Sequence, residues 1–135
     1  MKLSKQVASI LTFALKNAFK HLCKKGSKRA FELISATPCV NQANAEITKC
    51  YTSLVDIIQG IKYAEENKRI PHLCCEYYTL FPCLYERTKR FTKCTTKKMD
   101  IASDFVRNIF ENIISLLCGD YTDQSDKCQT LGINV

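Results

Sequence analysis

The sequence predicts an all-α fold: disulfide-stapled tandem helical modules with a 44-residue repeat. Three observations predict it. No stretch alternates apolar and polar residues for long enough to argue a strand, whereas apolar residues recur every three and four positions in several segments. Nine cysteines in 135 residues imply a disulfide framework in an oxidising compartment. The third observation is a cysteine frame written twice: "PCVNQANAEITKC" at 38–50 returns as "PCLYERTKRFTKC" at 82–94.

Laying residues 31–74 over 75–118 gives twelve matches in forty-four positions without a gap, among them Pro38/Pro82, Cys39/Cys83, Lys49/Lys93, Cys50/Cys94, Asp56/Asp100 and Cys74/Cys118. Unrelated sequences would give about three, and periods of about 20–50 residues mark tandem supersecondary units. The ends fit the same frame, since "HLC" at 21–23 resembles "HLC" at 72–74 and "LLC" at 116–118. The expected organisation is a single helical domain over 1–128. Residues 1–23 are the end of an upstream module, 31–74 the first whole module, 75–118 the second, and 129–135 a flexible tail.

The elements follow in chain order. Leu3, Val7, Ile10, Leu11, Ala14, Ala18, Phe19 and Leu22 lie at helical spacing and predict an amphipathic helix. Lys16 and Asn17 interrupt its apolar run, no small-x-small cleavage site follows, and it is too short and polar to span a bilayer. Met1 is therefore expected to be an internal methionine with a signal upstream; a poorly cleaved signal is the alternative. After the basic turn "KKGSKR", Thr37 is expected to N-cap a helix with Pro38 at its first position. Leu54, Ile57, Ile58 and Ile61 line one face of the next helical stretch, and Pro71 should break or re-aim the chain. Met99, Ala102, Phe105, Val106, Ile109, Phe110, Ile113 and Leu117 predict a long last helix, with Gly119 as its C-cap.

Sequence separation and module equivalence assign the cysteines. Short staples across each inter-module turn pair Cys23–Cys39, Cys74–Cys83 and Cys118–Cys128. Cys75–Cys94 then closes the second module and leaves Cys50 as the odd thiol; Cys50–Cys75 is the rival pairing. Zinc is the competing use of cysteine, but no C-x-x-C occurs, and His21 and His72 each stand two residues before a cysteine on a helix. The adjacent Cys74 and Cys75 could form a redox switch, yet the counterpart of Cys74 in Cys118 favours structure.

The formal charge of +7 concentrates in "KKGSKR" and "ERTKRFTKCTTKK". Arg87, Lys89, Arg90, Lys93, Lys97 and Lys98 form a candidate contact for an anionic polymer or lipid, weighed against a solvated helix face. No nucleic-acid motif accompanies them, so sequence-specific nucleic-acid binding is not expected. No catalytic residue, metal site or cofactor is expected. The two histidines occupy equivalent helix-end positions, Glu65 and Glu66 are adjacent and diverge on a helix, and no glycine-rich phosphate loop exists. Phe105, Ile109, Phe110 and Ile113 could line a cavity for a small apolar ligand, although such a stripe more often forms plain core.

The stretch "LCKKGSKRAFELISATPCVNQANAEITKC" ends a helix in cysteine, follows it with a basic turn, and leads through a short helix to two cysteines. In this it resembles a family of secreted, cysteine-rich helical proteins of arthropods, typified by an insect haemolymph glycoprotein. The likeness covers roughly residues 13–128 and lives in cysteine spacing and helix pattern. It implies a secreted protein of body fluid, or of a secretion such as venom or saliva, with a binding or structural role and no enzymatic activity. Its partner would be an unidentified protein or a small apolar ligand. The alternative is a secreted effector or toxin acting on membranes or an anionic partner through its basic helix. The chain departs from a glycoprotein pattern in having no N-x-[ST] acceptor.

Overall fold

The basic turn after the first helix closes at Gly26, whose φ of 75° is a left-handed conformation that glycine adopts without a Cβ clash. Ser27 follows and accepts a hydrogen bond from the Ala30 N–H, capping the next helix. A computed structural model describes residues 2–60, 63–119 and 128, apart from the side chains of 2–4, 6–8, 11 and 21. Five helices run through the described residues, with no strand: α1 (Lys2–Leu22), α2 (Lys28–Gln42), α3 (Asn44–Gly60), α4 (Glu66–Thr88) and α5 (Thr96–Cys118). Thr95 caps α5 by accepting from the Lys98 N–H.

The helices pack in the lateral order α3, α4, α5, α2, with α1 lying mainly on α5. Antiparallel pairing follows from the cross-links. Cys50 and Glu46 of α3 meet Cys83 and Arg87 of α4, while Cys74 and Tyr85 of α4 meet Cys118 and Asp100 of α5. Leu80, Phe81 and Leu84 of α4 fill the core with Cys39, Ala43, Cys50 and Met99. Tyr77 makes edge-to-face contacts with Phe81 at 5.3 Å and Phe110 at 6.3 Å. Burial there pushes its phenol up to about 12. Arg107 lays its guanidinium 4.1 Å from the centre of the Phe81 ring, so a cation covers the core's edge without entering it.

The prolines do not break the chain where the sequence implied. Pro38 lies inside α2, which begins ten residues earlier at Lys28, so Thr37 is a helical residue and not a cap. Pro71 and Pro82 both lie inside the uninterrupted α4. An interior proline removes one helical hydrogen bond and crowds the preceding turn, at about 3 kcal/mol. Pro38 and Pro82 are each followed at once by a half-cystine that ties the helix to a neighbour. Gly119 ends α5 in a right-handed conformation, not in the left-handed one expected of a C-cap glycine. The tail 129–135, expected to be flexible, lies outside the described residues.

The disulfides are Cys39–Cys94, Cys50–Cys83, Cys74–Cys118 and Cys75–Cys128, and Cys23 is the free, exposed thiol. This overturns each expected pairing, for geometric reasons. Cys74 and Cys83 share one continuous helix, where nine residues rise about 13 Å, beyond the roughly 7 Å that a disulfide spans between Cα atoms. Cys39 stands eleven residues into α2, about 16 Å from the turn that carries Cys23. Cys75 sits near the Cys118 end of the α4–α5 pair, a helix length away from Cys94, so Cys75–Cys94 cannot form. Cys128 goes to Cys75 and leaves Cys118 for Cys74. Cys50 is not the odd thiol, because antiparallel packing of α3 on α4 sets its Cα 6.0 Å from that of Cys83.

Candidate functional site

Four disulfides hold α2 to α5 and leave α1 without a covalent tie, since its neighbour Cys23 is unpaired. The alanines Ala14 and Ala18, one turn apart, fall on the face of α1 toward the bundle, and their short side chains leave space there. Phe19 reaches past them to meet Phe105 of α5 edge to face, with ring centres 6.4 Å apart. Between α1, α2 and α5 lies a cleft of about 430 Å³. Apolar Ala14, Ala18, Leu22, Leu33, Phe105 and Ile109 share its lining with polar residues that include Arg29, Glu32, Asp104 and Asn108.

Two of the four residues expected to line a cavity do so. Phe105 and Ile109 face the cleft, whereas Phe110 packs against the core beside Tyr77 and Ile113 is half-buried away from the cleft. Ala14 and Ala18 were read from the sequence as part of the apolar face of the first helix but not as cavity lining, and Leu33 was not singled out. The signal available for the alanines was their smallness at adjacent turns of an otherwise bulky apolar face. Leu33 carried none, because which face of α2 meets α5 depends on the Cys39–Cys94 bond.

The basic stretch forms a second feature, around the α4–α5 junction. The sequence treats its six cations alike, but the structure divides them. Arg87 and Arg90 reach back to Glu46 of α3, at 3.0 and 3.1 Å, and Lys49 joins the same carboxylate at 2.7 Å. The hydrogen bond from Lys49, then that from Arg87, hold the Glu46 carboxyl below its ordinary range. Lys89 pairs with Glu86 on the same helix. Lys93, Lys97 and Lys98 have no ion pair among the described residues. Lys97 and Lys98 stand in the first turn of α5, which has no acidic residue, so the helix dipole adds to their positive field. The Cys39–Cys94 bond and a hydrogen bond from the Lys93 N–H to Gln42 Oε1 fix the connecting loop against α2.

Cys74 and Cys75 are consumed in separate disulfides, so the adjacent pair offers no dithiol. Among the described residues no three His, Cys, Asp or Glu side chains cluster to hold a metal, and no helix is long and apolar enough to cross a membrane. The four disulfides fit an oxidising, extracellular-type environment. Comparison with known protein families, curated proteins and solved structures finds no match.

Proposed function

We propose that this chain is a secreted binding protein of a body fluid or secretion, without catalysis, which holds a small, largely apolar ligand in the cleft beneath α1. The observation that carries the reading is the contrast between the stapled α2–α5 frame and the untied α1 that lines the cleft. A rigid frame keeps the pocket shape, and a helix held only by side-chain contacts can yield as a ligand enters. The volume of about 430 Å³ falls in the size range of small-molecule sites, roughly 300–1,000 Å³.

The test uses a neutral fluorescent amphiphile, N-phenyl-1-naphthylamine, titrated against the oxidised protein. The expected result is saturable binding at one equivalent, weakened at least tenfold by Ala18→Phe, which fills the cleft while leaving the helix content unchanged. Absence of saturable binding, or binding indifferent to Ala18→Phe, rejects the cleft as the site.

A second reading has its own observation. Lys93, Lys97 and Lys98 at the α5 start form a cationic corner suited to a sulfated polymer or anionic lipid, as a secreted effector would use. Leakage from anionic vesicles that is lost in the triple Lys→Glu variant favours this reading over the carrier.

A further inference from the structure

Residues 36–135 are electrically balanced, with twelve Lys and Arg against twelve Asp and Glu, so the basic stretch around the α4–α5 junction is offset within its own part of the chain. The excess of +7 lies outside them, and most of it in residues 16–35. There six cations, Lys16, Lys20, Lys24, Lys25, Lys28 and Arg29, stand against one acid, Glu32. Charge gathered on one connection gives the molecule a positive pole at the α1–α2 turn, and a pole orients the molecule as it approaches a negative surface.

The turn itself is tight. The Ser27 N–H donates to the Lys24 carbonyl at 3.0 Å and Gly26 is left-handed, so Lys24, Lys25, Lys28 and Arg29 project from one turn and the start of α2. All four are exposed. Among the described residues only Lys28 of the four has an ion pair, with Glu32 at 3.9 Å; its side chain is 90% exposed, so water screens that pair heavily. One helical turn further on, α2 is apolar where a solvent face is ordinarily polar. Phe31, Ile34 and Pro38, at i, i+3 and i+7, form one row on the side turned away from the buried Ala36 and Cys39. Phe31 is 68% exposed and Ile34 65%. Open aromatic and aliphatic groups beside unpaired cations are the composition of a surface that meets a bilayer boundary.

We propose that the α1–α2 turn and the outward row of α2 dock on an anionic lipid surface. Phe31 and Ile34 sit at the boundary between headgroups and acyl chains, and Lys24, Lys25, Lys28 and Arg29 lie against the headgroup anions. Charge complementarity selects this occupant. Three of the four cations are lysines, flexible point charges with no fixed partner, which suit a continuous negative surface better than a matched set of carboxylates. Each Lys or Arg held near such a surface raises affinity about fivefold. The contact is peripheral, since a single helix face reaches only about 5–10 Å into the boundary. Of the residues in this surface only Arg29 also lines the cleft, and none belongs to the Lys93, Lys97 and Lys98 corner, so the proposal does not rest on either reading above.

The chain has no tryptophan, so Phe31→Trp supplies a single indole reporter. This variant is mixed with vesicles of phosphatidylcholine alone, or of equal parts phosphatidylcholine and phosphatidylserine. The expected result is a blue-shifted emission, quenched by brominated acyl chains, on the anionic vesicles only. It should fade as salt rises, because screening acts over about 8 Å at physiological ionic strength. In co-sedimentation Lys24→Ala/Lys25→Ala should lose about twenty-fivefold in affinity and Phe31→Gln/Ile34→Gln about tenfold. Lys93→Ala/Lys97→Ala/Lys98→Ala should stay within a few-fold of the parent, and circular dichroism checks that each variant keeps the parent's helix content. Four results overturn the proposal. The first is an emission that does not shift or shifts equally on neutral vesicles. The second is affinity lost only in the Lys93, Lys97 and Lys98 variant. The third is soluble polyglutamate bound as tightly, with the same dependence on Phe31 and Ile34, which gives the surface to an acidic protein. The fourth is a dimer of the free protein in sedimentation that Phe31→Gln/Ile34→Gln abolishes, which gives the row to a second copy.

Discussion

Removing the Cys39–Cys94 bond gives the sharpest test of the interlocked frame. The two cysteines are 55 residues apart in sequence, which alone would put the loop-entropy effect near 4 kcal/mol. The intact Cys50–Cys83 bond shortens the connection, because eleven residues separate the cysteines on each side. For the resulting loop of about 22 residues the stabilisation is about 3 kcal/mol. Cys39→Ala/Cys94→Ala should therefore lower Tm by roughly 10 °C for a chain of this size. The nested geometry makes Cys50→Ala/Cys83→Ala equivalent, at about the same cost. The four substitutions together should cost about 7 kcal/mol, since the second loop is no longer shortened by the first; that takes most of the stability of an ordinary domain, about 5–15 kcal/mol. Circular dichroism at 222 nm against temperature reads all three variants. A double variant melting within two degrees of the parent would falsify the cross-linking of α2 to the α4–α5 loop, as would a peptide map that joins Cys39 to Cys23.

Two further outcomes follow from the basic corner. The Glu46 carboxyl is held below 4.5 in the folded protein, so its contribution is complete above that pH and lost as the pH falls through its lower folded-state pKa. Glu46→Gln should be less stable than the parent at pH 7, with the gap closing in strong acid; urea melts at several pH values read this, and a constant gap contradicts it. Heparin retention should depend on Lys93, Lys97 and Lys98 and fall steeply with salt, while Arg87→Ala should matter less because Glu46 already holds that cation. Equal losses from all six cations would show that the carboxylate does not divide the patch.

The sequence by itself determined the helical class and the turn between the first two helices. Periodic apolar residues in 3–22 and 99–117 became α1 and α5, and glycine in "KKGSKR" became the left-handed turn between α1 and α2. These features rest on local physics, because helical spacing and positive φ depend on neighbouring residues alone. The high cysteine content also announced a disulfide frame, and the apolar run of α5 named Phe105 and Ile109 of the cleft. What only the tertiary structure decided was which sulfurs meet and which cations stay unpaired. A disulfide selects residues whose Cα atoms lie a few ångströms apart, 4.6 Å for Cys39–Cys94, and helix continuity can set near residues far apart in space. Pro71 did not break α4, so Cys74 and Cys83 were held apart on one rod, and antiparallel packing brought Cys50 to Cys83 and Glu46 to Arg87 and Arg90. Proximity along the chain is a poor guide once helices are longer than the reach of a side chain, and packing between helices then chooses the partners.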